Sequence, residues 1–388
     1  MNTAKALEFL CRNAVEVISR EELGARLDKK QPLRVKAGFD PSSPDIHLGH
    51  TVLLRKLREF QDLGHKVVFI IGDTTAMIGD PTGQSKTRPA LSAAEVKKNA
   101  ATYQKQAFKV LDKDPKKIEI VNNTEWFGKM NLSEFLAKIA SQFNVARVIE
   151  RDDFQKRMSN NQPITIQEFM YPLLQAYDSV MVRSDIELGG SDQKFNLLAG
   201  RDLQRSFGQA PQVVMTMPLL VGLDGTQKMS KSYGNHIGVL DSSQDVFGKT
   251  MSIPDALMGS WYSLLTQVSY DPSLHPREAK VALAKKIVAS LYDEMTGDKE
   301  AAAFDSVFKD KQTPTDMKTV KVSEDPIWIC KLLVQAGAAA SNGEARRLVE
   351  QGAVEIDNSK VSDPKLSVSV REGAVLKAGK KNFYKLSR

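Results

Sequence analysis

Two histidines with a leucine and a glycine between them, His47-Leu48-Gly49-His50, form the first group in the sequence with the residue types and spacing for chemistry. On the first turn of a helix, rings at i and i+3 share one face, the helix N-terminus attracts phosphate, and Gly49 lets a flat base approach the backbone. We interpret the group as a candidate phosphate or nucleotide site. Two solvated surface histidines are the alternative, because four-residue motifs often match by chance.

A second group, Lys228-Met229-Ser230-Lys231-Ser232, lies between two glycine-containing turns, Asp224-Gly225 and Gly234-Asn235. Glycines on both sides predict a loop that can move. Two lysines three positions apart on such a loop can close over a polyphosphate and stabilise charge that develops during a reaction. When the group is taken alone, a solvated basic loop is the alternative.

A third group, Tyr171, Gln175 and Asp178, falls at positions i, i+4 and i+7. On a helix these side chains share one face and can point into the same pocket. An ordinary polar helix face would show the same spacing.

The elements around the two histidines follow the order strand, turn, helix, strand. Residues 33–39 have strand character and are followed by a turn cluster at 40–45, in which Asp45 is the expected helix N-cap. Apolar residues then recur at helical spacing up to Gly64. The continuous apolar run at 67–71 predicts a parallel strand that is buried on both faces.

The alternation continues with helical patterns at 93–111 and 132–143 and an apolar run near 118–121. Strands that alternate with helices predict an α/β fold with a doubly wound parallel sheet. This sheet would form a nucleotide-binding catalytic domain at 1–235.

The second half of the chain has a different character. Helical segments such as 275–292 follow residue 235, and the polar stretch 309–325 is typical of a linker. Residues 326–388 contain 11 Lys or Arg and 6 Asp or Glu, and this part contributes most of the chain's net charge of +7. We therefore predict a helical domain with its linker at 236–325 and a small basic α+β domain at 326–388 that binds a polyanion. Within the latter, Ser341 and Glu344 have the spacing of a capping box that opens a helix.

The composition excludes several classes of protein. With 41% hydrophobic and 26% charged residues among 388, the chain is neither disordered nor a small disulfide-dependent module. Its longest bulky apolar run, 67–71, falls far short of the roughly 20 residues that cross a bilayer. Two cysteines and five scattered histidines give neither a disulfide framework nor a zinc-like ligand set. These features, and a start rich in acidic residues, predict a cytoplasmic protein without a membrane anchor.

Taken together and in order, with Lys228 following His47 by 181 positions, the first two groups resemble those of the class I aminoacyl-tRNA synthetases. Further stretches resemble the bacterial tyrosyl-tRNA synthetases: Gly38-Phe39-Asp40-Pro41, Ile78-Gly79-Asp80-Pro81-Thr82-Gly83, residues 171–178 and Gly189-Gly190-Ser191-Asp192-Gln193. Residues 341–349 look like the RNA-binding module that this family shares with a ribosomal small-subunit protein.

The resemblance implies a two-step reaction. L-Tyrosine and ATP, with Mg²⁺, form tyrosyl adenylate and pyrophosphate, and the tyrosyl group then passes to the terminal ribose of tRNA(Tyr). It assigns catalysis at the phosphates to His47, His50, Lys228, Lys231 and Arg88, and ATP binding to Asp40, Gly49, Gly190, Asp192 and Met229. It assigns tyrosine binding to Lys36, Gly38, Asp80, Tyr171, Gln175, Asp178 and Gln193, and tRNA binding to Arg346 and Arg347.

The resemblance also implies a homodimer whose contact is formed by an inserted segment at about 122–163. An apolar stripe in this segment would serve that contact but would serve equally well in a core helix: Leu132, Phe135, Leu136 and Ile139.

Three positions depart from the family pattern. Lys36 replaces a tyrosine that donates to the substrate hydroxyl in many members, Glu187 replaces a glutamine, and Gln84 stands where a basic residue is common. Lys36 and Glu187 can form an ion pair, or Lys36 can itself donate to the phenol. Arg88 would carry more of the charge that position 84 lacks.

Three other functions share part of the pattern. A tryptophanyl-tRNA synthetase would not need Asp178, and a small-metabolite adenylyltransferase would not need the basic tail, residues 326–388. A catalytically inactive RNA-binding paralogue would not need both histidines and both lysines, all of which are present.

Overall fold

The computed structural model describes residues 2–82, 91–308, 317–379 and 382–388. It divides into two compact units, Met1–Glu300 and Ala301–Arg388. The finer division at 1–235, 236–325 and 326–388 stays a prediction. Within the described ranges, no helix is both long enough and apolar enough to cross a membrane.

A six-stranded sheet forms the centre of the first unit. Its strands are β1 (Glu16–Ile18), β2 (Arg34–Phe39), β3 (Lys66–Ile71), β4 (Ile118–Asn122), β5 (Ile186–Gly190) and β6 (Val213–Met217). Their order is β1-β6-β5-β2-β3-β4, with β2 to β6 parallel and the edge strand β1 antiparallel to β6. The predicted α/β fold with a parallel-rich sheet is confirmed.

The burial of the sheet follows from its sequence. In β3, the residues from Val67 to Ile70 are fully buried, as a continuous apolar run covered on both faces requires.

The strand order reverses beside β2, because β3 lies on one side and β5 on the other. Ligands of open α/β sheets bind beyond the carboxyl ends of the strands at such a reversal. The loops that begin after Phe39 and Gly190 therefore form the expected site.

Helices cover this sheet and continue beyond it. They are α1 (Thr3–Cys11), α2 (Arg20–Asp28), α3 (Leu48–Asp62), α4 (Asp73–Ile78), α5 (Ala93–Ala107), α6 (Thr124–Phe127), α7 (Leu132–Lys138), α8 (Val145–Ile149), α9 (Asp152–Ser159), α10 (Ile166–Met181), α11 (Lys194–Ser206), α12 (Ser243–Met251), α13 (Met258–Leu265), α14 (Pro276–Leu291) and α15 (Glu294–Phe308).

One predicted helix is interrupted. The segment 132–143 forms α7 and then a separate 3₁₀ turn at Ala140–Gln142, with Ile139 fully buried between them. Ile139 therefore belongs to the core, whereas Leu132 is 72% exposed.

The second unit has its own sheet and core. Its elements are β7 (Lys318–Lys321), β8 (Ile327–Trp328), α16 (Ile329–Ala336), α17 (Asn342–Glu350), β9 (Val354–Ile356), β10 (Ser359–Val361), β11 (Ser367–Val368), β12 (Val375–Ala378) and β13 (Asn382–Ser387). Five strands form a sheet in the order β10-β9-β12-β13-β7, and β11 pairs with β8. Fully buried side chains from both helices and the sheet, such as Leu333, Val349 and Leu376, make one hydrophobic cluster.

Two sequence expectations change in this unit. Residues 318–321 lie in the expected linker but form β7, which pairs in parallel with β13; residues 309–316 of that stretch lie outside the described residues. The hydroxyl of Ser341 caps α17 by accepting from the backbone N–H of Glu344, as predicted. The carboxylate of Glu344, however, accepts from the N–H of Ala340 at 2.8 Å, so the return bond of the expected capping box goes one residue upstream.

Candidate active site

A cleft of about 790 Å³ opens where β2, β5 and β6 end. It brings together most of the residues that the sequence analysis assigned to catalysis and ATP, and two that it assigned to tyrosine, Asp80 and Gln193. These are Asp40, His47, Gly49, His50, Asp80, Gly190, Asp192, Gln193, Lys228, Met229 and Lys231.

Backbone pairing explains why the two-histidine and two-lysine groups meet. The N–H of Leu48 donates to the carbonyl of Ile237, and the N–H of Val239 donates to that of Ile46, both at 2.9 Å. The segment after the lysine loop is thus tied to the segment that enters α3. Gly49 lies in this junction, where an added Cβ would approach the His47 ring to 2.9 Å and the Cβ of Met229 to 3.5 Å. A larger residue at position 49 would therefore press on the His47 ring, whereas its contact with Met229 would be an ordinary van der Waals contact.

His47 and His50 are linked through the start of α3. His47, and not Asp45 as expected, is the N-cap, because its Nδ1 accepts from the N–H of Gly49 at 3.2 Å. The Nδ1 of His50 accepts from the N–H of His47 at 3.2 Å, and the ring centroids lie 3.9 Å apart. Since both Nδ1 atoms accept, each neutral ring keeps its proton on Nε2.

Burial keeps these imidazoles neutral. Desolvation, with a smaller contribution from His50, lowers the pKa of His47 to about 2, and desolvation lowers the pKa of His50 to about 4. Both rings are therefore neutral hydrogen-bond donors at pH 7. Among the described residues that line the cleft, Lys228 and Lys231 supply the positive charge.

Each lysine of the loop is held by a carboxylate. Lys228 donates to Asp192 at 2.8 Å, and Lys231 pairs with Asp45. Asp45, predicted as a helix cap, thus holds the loop instead. Gly190 makes room for this arrangement, since an added Cβ there would lie 2.6 Å from Oδ1 of Asp192.

Asn235 shapes the lysine loop from behind and was missed by the sequence reasoning. Its Oδ1 accepts from the N–H of Ser230 at 2.8 Å, and its Nδ2 donates to Asp224 at 2.6 Å and to the carbonyl of Lys228 at 3.2 Å. The side chain is buried. The glycines around the loop had suggested mobility, but not this polar anchor.

The predicted polar face of a helix is present on α10. Tyr171 donates its hydroxyl to Oδ2 of Asp40 at 2.8 Å, which ties α10 to the loop after β2. Desolvation and then the nearby carboxylate of Asp40 hold the pKa of Tyr171 well above its usual value. Gly38, at the end of β2, faces open space, with no described heavy atom within 4 Å of an added Cβ.

Asp178 lies on the same helix and is buried. It accepts from the indole Nε1 of Trp126 at 3.0 Å and from Nδ2 of Asn123 at 3.4 Å. Desolvation raises its pKa to about 7, although the charge of Lys36 opposes this shift. Trp126 and Asn123 were not predicted, since nothing local in the sequence links them to position 178.

The Lys36–Glu187 ion pair is confirmed. The two residues lie opposite each other on β2 and β5, and their charged groups are 2.8 Å apart at 0% and 1% exposure. Lys36 also donates to Oγ of Ser179 at 2.7 Å and to the carbonyl of Gln175 at 3.0 Å. An ammonium has three N–H donors, so a bond from Lys36 to a substrate phenol would require one of these three to break.

The remaining predicted residues are placed as follows. Gln193 donates to Oδ2 of Asp80 at 2.6 Å at the edge of the cleft. Arg88 and Gln84 lie outside the described residues. Arg346 and Arg347 are exposed on α17 of the second unit.

Comparison with known proteins agrees with this architecture. Residues 28–309 match the family described as tRNA synthetases class I (W and Y), and residues 310–386 match the tyrosine–tRNA ligase SYY-like C-terminal domain. A tyrosine–tRNA ligase of Moorella thermoacetica is 50% identical over 99% of this chain and 96% of its own length. That of Thermotoga maritima is 49% identical over 100% and 98%.

Solved structures show the same fold at lower identity. A tyrosyl-tRNA synthetase of Archaeoglobus fulgidus in complex with L-tyrosine superposes with a TM-score of 0.62, at 24% identity over 77% of this chain and all of the other. A C-terminally truncated mitochondrial enzyme of Aspergillus nidulans gives a TM-score of 0.64, at 22% identity over 79% of this chain and 94% of the other. The chain belongs to the tyrosine–tRNA ligase family of class I tRNA synthetases.

Proposed function

We propose that this chain activates L-tyrosine with ATP and transfers the tyrosyl group to tRNA(Tyr). The observation that carries the proposal is the meeting of His47 and His50 with Lys228 and Lys231 in one cleft beyond the carboxyl ends of the sheet. Membership of the family implies the use of ATP. Magnesium would enter with ATP as part of the substrate, and its charge would add to that of the lysines.

The first step needs position and charge more than a protein nucleophile. A carboxylate oxygen of tyrosine attacks the α-phosphorus of ATP, a bond forms between them, and the bond from the α-phosphorus to the bridging oxygen breaks to release pyrophosphate. Neutral His47 and His50 can donate through Nε2–H to phosphate oxygens, and Lys228 and Lys231 supply positive charge. Arg88, assigned to the same phosphates, would add a further charge.

The ion pairs of the lysine loop suggest how ATP enters. Lys228 would leave Asp192 for the phosphates, which frees the Asp192 carboxylate to accept the ribose hydroxyls. Lys231 would leave Asp45 in the same way. Both pairs are partly exposed, and exposed pairs contribute only about 0–1 kcal/mol, so their exchange for a polyphosphate costs little.

Tyrosine recognition would use the buried face of α10. Asp178 provides an acceptor for the phenol hydroxyl, and Trp126 and Asn123 fix its orientation. Gln175, Tyr171 and Asp80 would receive the ammonium group, and Gln193 would receive the carboxylate region.

In the second step, a hydroxyl of the terminal tRNA ribose attacks the tyrosyl carbonyl carbon, and AMP leaves with the bonding electron pair.

We assign tRNA binding to the second unit, and to Arg346 and Arg347 in particular. Both guanidinium groups belong to exposed residues on a capped helix within a part of the chain that carries excess positive charge. Such side chains suit phosphate contacts.

A homodimer is part of the same proposal. In the segment 122–163, Leu132 is 72% exposed, Leu136 is 48% exposed and Val145 is 63% exposed. Exposed apolar side chains grouped in one segment are typical of an interaction surface. Ile139 lies in the core and would not take part in the contact.

Because ATP and tRNA are cytoplasmic substrates, we also assign the reaction to the cytoplasm.

Pyrophosphate exchange into ATP, measured with each of the twenty amino acids, tests this proposal. Exchange that requires tyrosine is expected. Exchange with tryptophan alone, or with a substrate that is not an amino acid, would contradict it.

A further inference from the structure

One buried carboxamide, that of Asn196, and two half-buried ones, those of Gln175 and Gln193, form a branched hydrogen-bond network at the proposed tyrosine pocket. Nδ2 of Asn196 donates to Oε1 of Gln175 and to Oε1 of Gln193, each at 3.0 Å. Nε2 of Gln175 continues to Oε1 of Glu187 at 3.2 Å, and Nε2 of Gln193 continues to Oδ2 of Asp80 at 2.6 Å. Oδ1 of Asn196 accepts from NH1 of Arg151 at 2.7 Å.

The charged groups at the ends of this network fix its direction. A carboxamide can normally turn over, because its oxygen and nitrogen differ little in size. A guanidinium, however, only donates, and an ionised carboxylate only accepts. Arg151 therefore dictates which end of Asn196 is the oxygen, and Glu187 and Asp80 dictate the orientation of Gln175 and Gln193. Each of the three side-chain amides in this hydrogen-bond network therefore has one satisfactory orientation.

Arg151 is itself held firmly. Its guanidinium is buried, at 4% exposure of the residue, and donates twice to Asp153, at 3.0 Å and 2.9 Å. It donates to Oγ1 of Thr82 at 3.0 Å and lies over the ring of Phe154, 4.8 Å from its centroid. Asn196 is 1% exposed. The Arg151 end of the hydrogen-bond network is thus anchored in packed protein.

We propose that Asn196, oriented by Arg151, is a positioning residue that sets the carboxamides of Gln175 and Gln193 for the substrate. The inference rests on the proposed function, which places these two glutamines at the ammonium and the carboxylate region of tyrosine. With Asn196 in place, the oxygen of Gln175 has one lone pair for Asn196 and a second for the ammonium. Neither Asn196 nor Arg151 belongs to the motifs singled out in the sequence.

Asn196→Asp is the sharpest test, because it keeps the shape of the side chain and removes the donor. The aspartate would face two carbonyl oxygens. If Gln175 turned over to donate to it, its oxygen would meet the carboxylate of Glu187, and the same conflict would arise between Gln193 and Asp80. No orientation satisfies both ends. We expect the KM for tyrosine in pyrophosphate exchange to rise by about 10- to 100-fold, with the KM for ATP within about twofold of the wild type.

Gln61→Glu is the matched control. Gln61 is fully buried, its Nε2 donates to the carbonyls of Asp112 and Lys117, and its Oε1 accepts from the N–H of Asp112. The change removes two donated bonds, as at position 196, but none of these partners belongs to the proposed pocket. It should lower stability and leave the KM for tyrosine unchanged.

Asn196→Ala extends the test to a variant that introduces no buried charge. It should raise the KM for tyrosine less than Asn196→Asp, because it lets the glutamines turn without forcing them. An unchanged KM for tyrosine in either folded variant would overturn the proposal, as would an equal rise in the KM values of tyrosine and ATP. Absence of tyrosine-dependent exchange in the wild type would instead contradict the proposed function.

Discussion

Asp178 is the residue on which the proposed recognition of the substrate hydroxyl depends. A buried site built to bond a hydroxyl rejects an analogue that lacks it by about 10⁴- to 10⁵-fold, a range for which this family is itself the known example. We predict that Asp178→Ala lowers the ratio of kcat/KM for tyrosine to that for phenylalanine by at least about 10-fold. Amino-acid-dependent pyrophosphate exchange measures both constants. An unaltered ratio in an active variant would show that another group reads the hydroxyl.

The raised pKa of Asp178 also predicts how stability depends on pH. Between the unfolded value of 3.8 and the folded value of about 7, the native state binds the proton more tightly than the unfolded state does. Ionisation of Asp178 therefore opposes folding progressively as pH rises through this window. An Asp178→Asn variant has no such titration, so its free energy of unfolding relative to wild type should increase from pH 4 to pH 8. Urea unfolding at several pH values checks this, and a difference that is constant with pH would contradict the assignment.

Lys231 is predicted to act on the transition state. We expect Lys231→Ala to slow tyrosyl adenylate formation by roughly 2.7 to 4 kcal/mol in activation free energy, by analogy with the loss of one preorganised donor to developing charge. The affinity for tyrosine should change little. Lys138→Ala is a suitable control, because Lys138 is an exposed lysine that pairs with Glu134. Rapid-quench measurement of the activation rate, with tyrosine affinity measured separately, distinguishes the two effects.

At the scale of elements, sequence patterns predicted what depends on local periodicity. The apolar run of β3, the helix that follows β2 and the polar face of α10 all follow from spacing within one segment. Most contacts between distant segments did not follow, and the Lys36–Glu187 ion pair was expected only because both positions depart from the family pattern. Trp126 meets Asp178 across 52 positions, and Lys231 meets Asp45 across 186, so no local pattern contains either pair. His47 is the N-cap of α3 in place of Asp45, and Asp45 instead pairs with that distant lysine.

The same difference between local patterns and distant contacts explains why the strand at 318–321 was not predicted. A polar stretch at 309–325 has the composition of a linker, yet residues 318–321 complete the edge of a sheet whose partner strand, β13, is the last in the chain. Backbone pairing of that kind places few demands on side chains. Composition alone therefore does not reveal that residues 318–321 form a strand of this sheet.

At the scale of the whole molecule, the two units should be separable in function. We predict that a chain ending after Phe308 still forms tyrosyl adenylate but charges tRNA poorly, because the described residues assigned to ATP and tyrosine lie before residue 232 and the exposed Arg346 and Arg347 lie after the cut. The intact protein should also lose tRNA affinity more steeply as salt rises. Equal charging by both chains at physiological salt would contradict a role of the tail in RNA binding.

Charged tRNA, the product of the complete reaction, gives the decisive measurement. Wild-type protein, ATP with magnesium, labelled tyrosine and tRNA(Tyr) are combined. The label that precipitates with the tRNA in acid is then measured. We predict label in tRNA that requires ATP, is removed by base and is not formed from labelled tryptophan. Absence of label in tRNA, in a preparation that carries out tyrosine-dependent pyrophosphate exchange, would contradict the claim that this chain is a tyrosine–tRNA ligase.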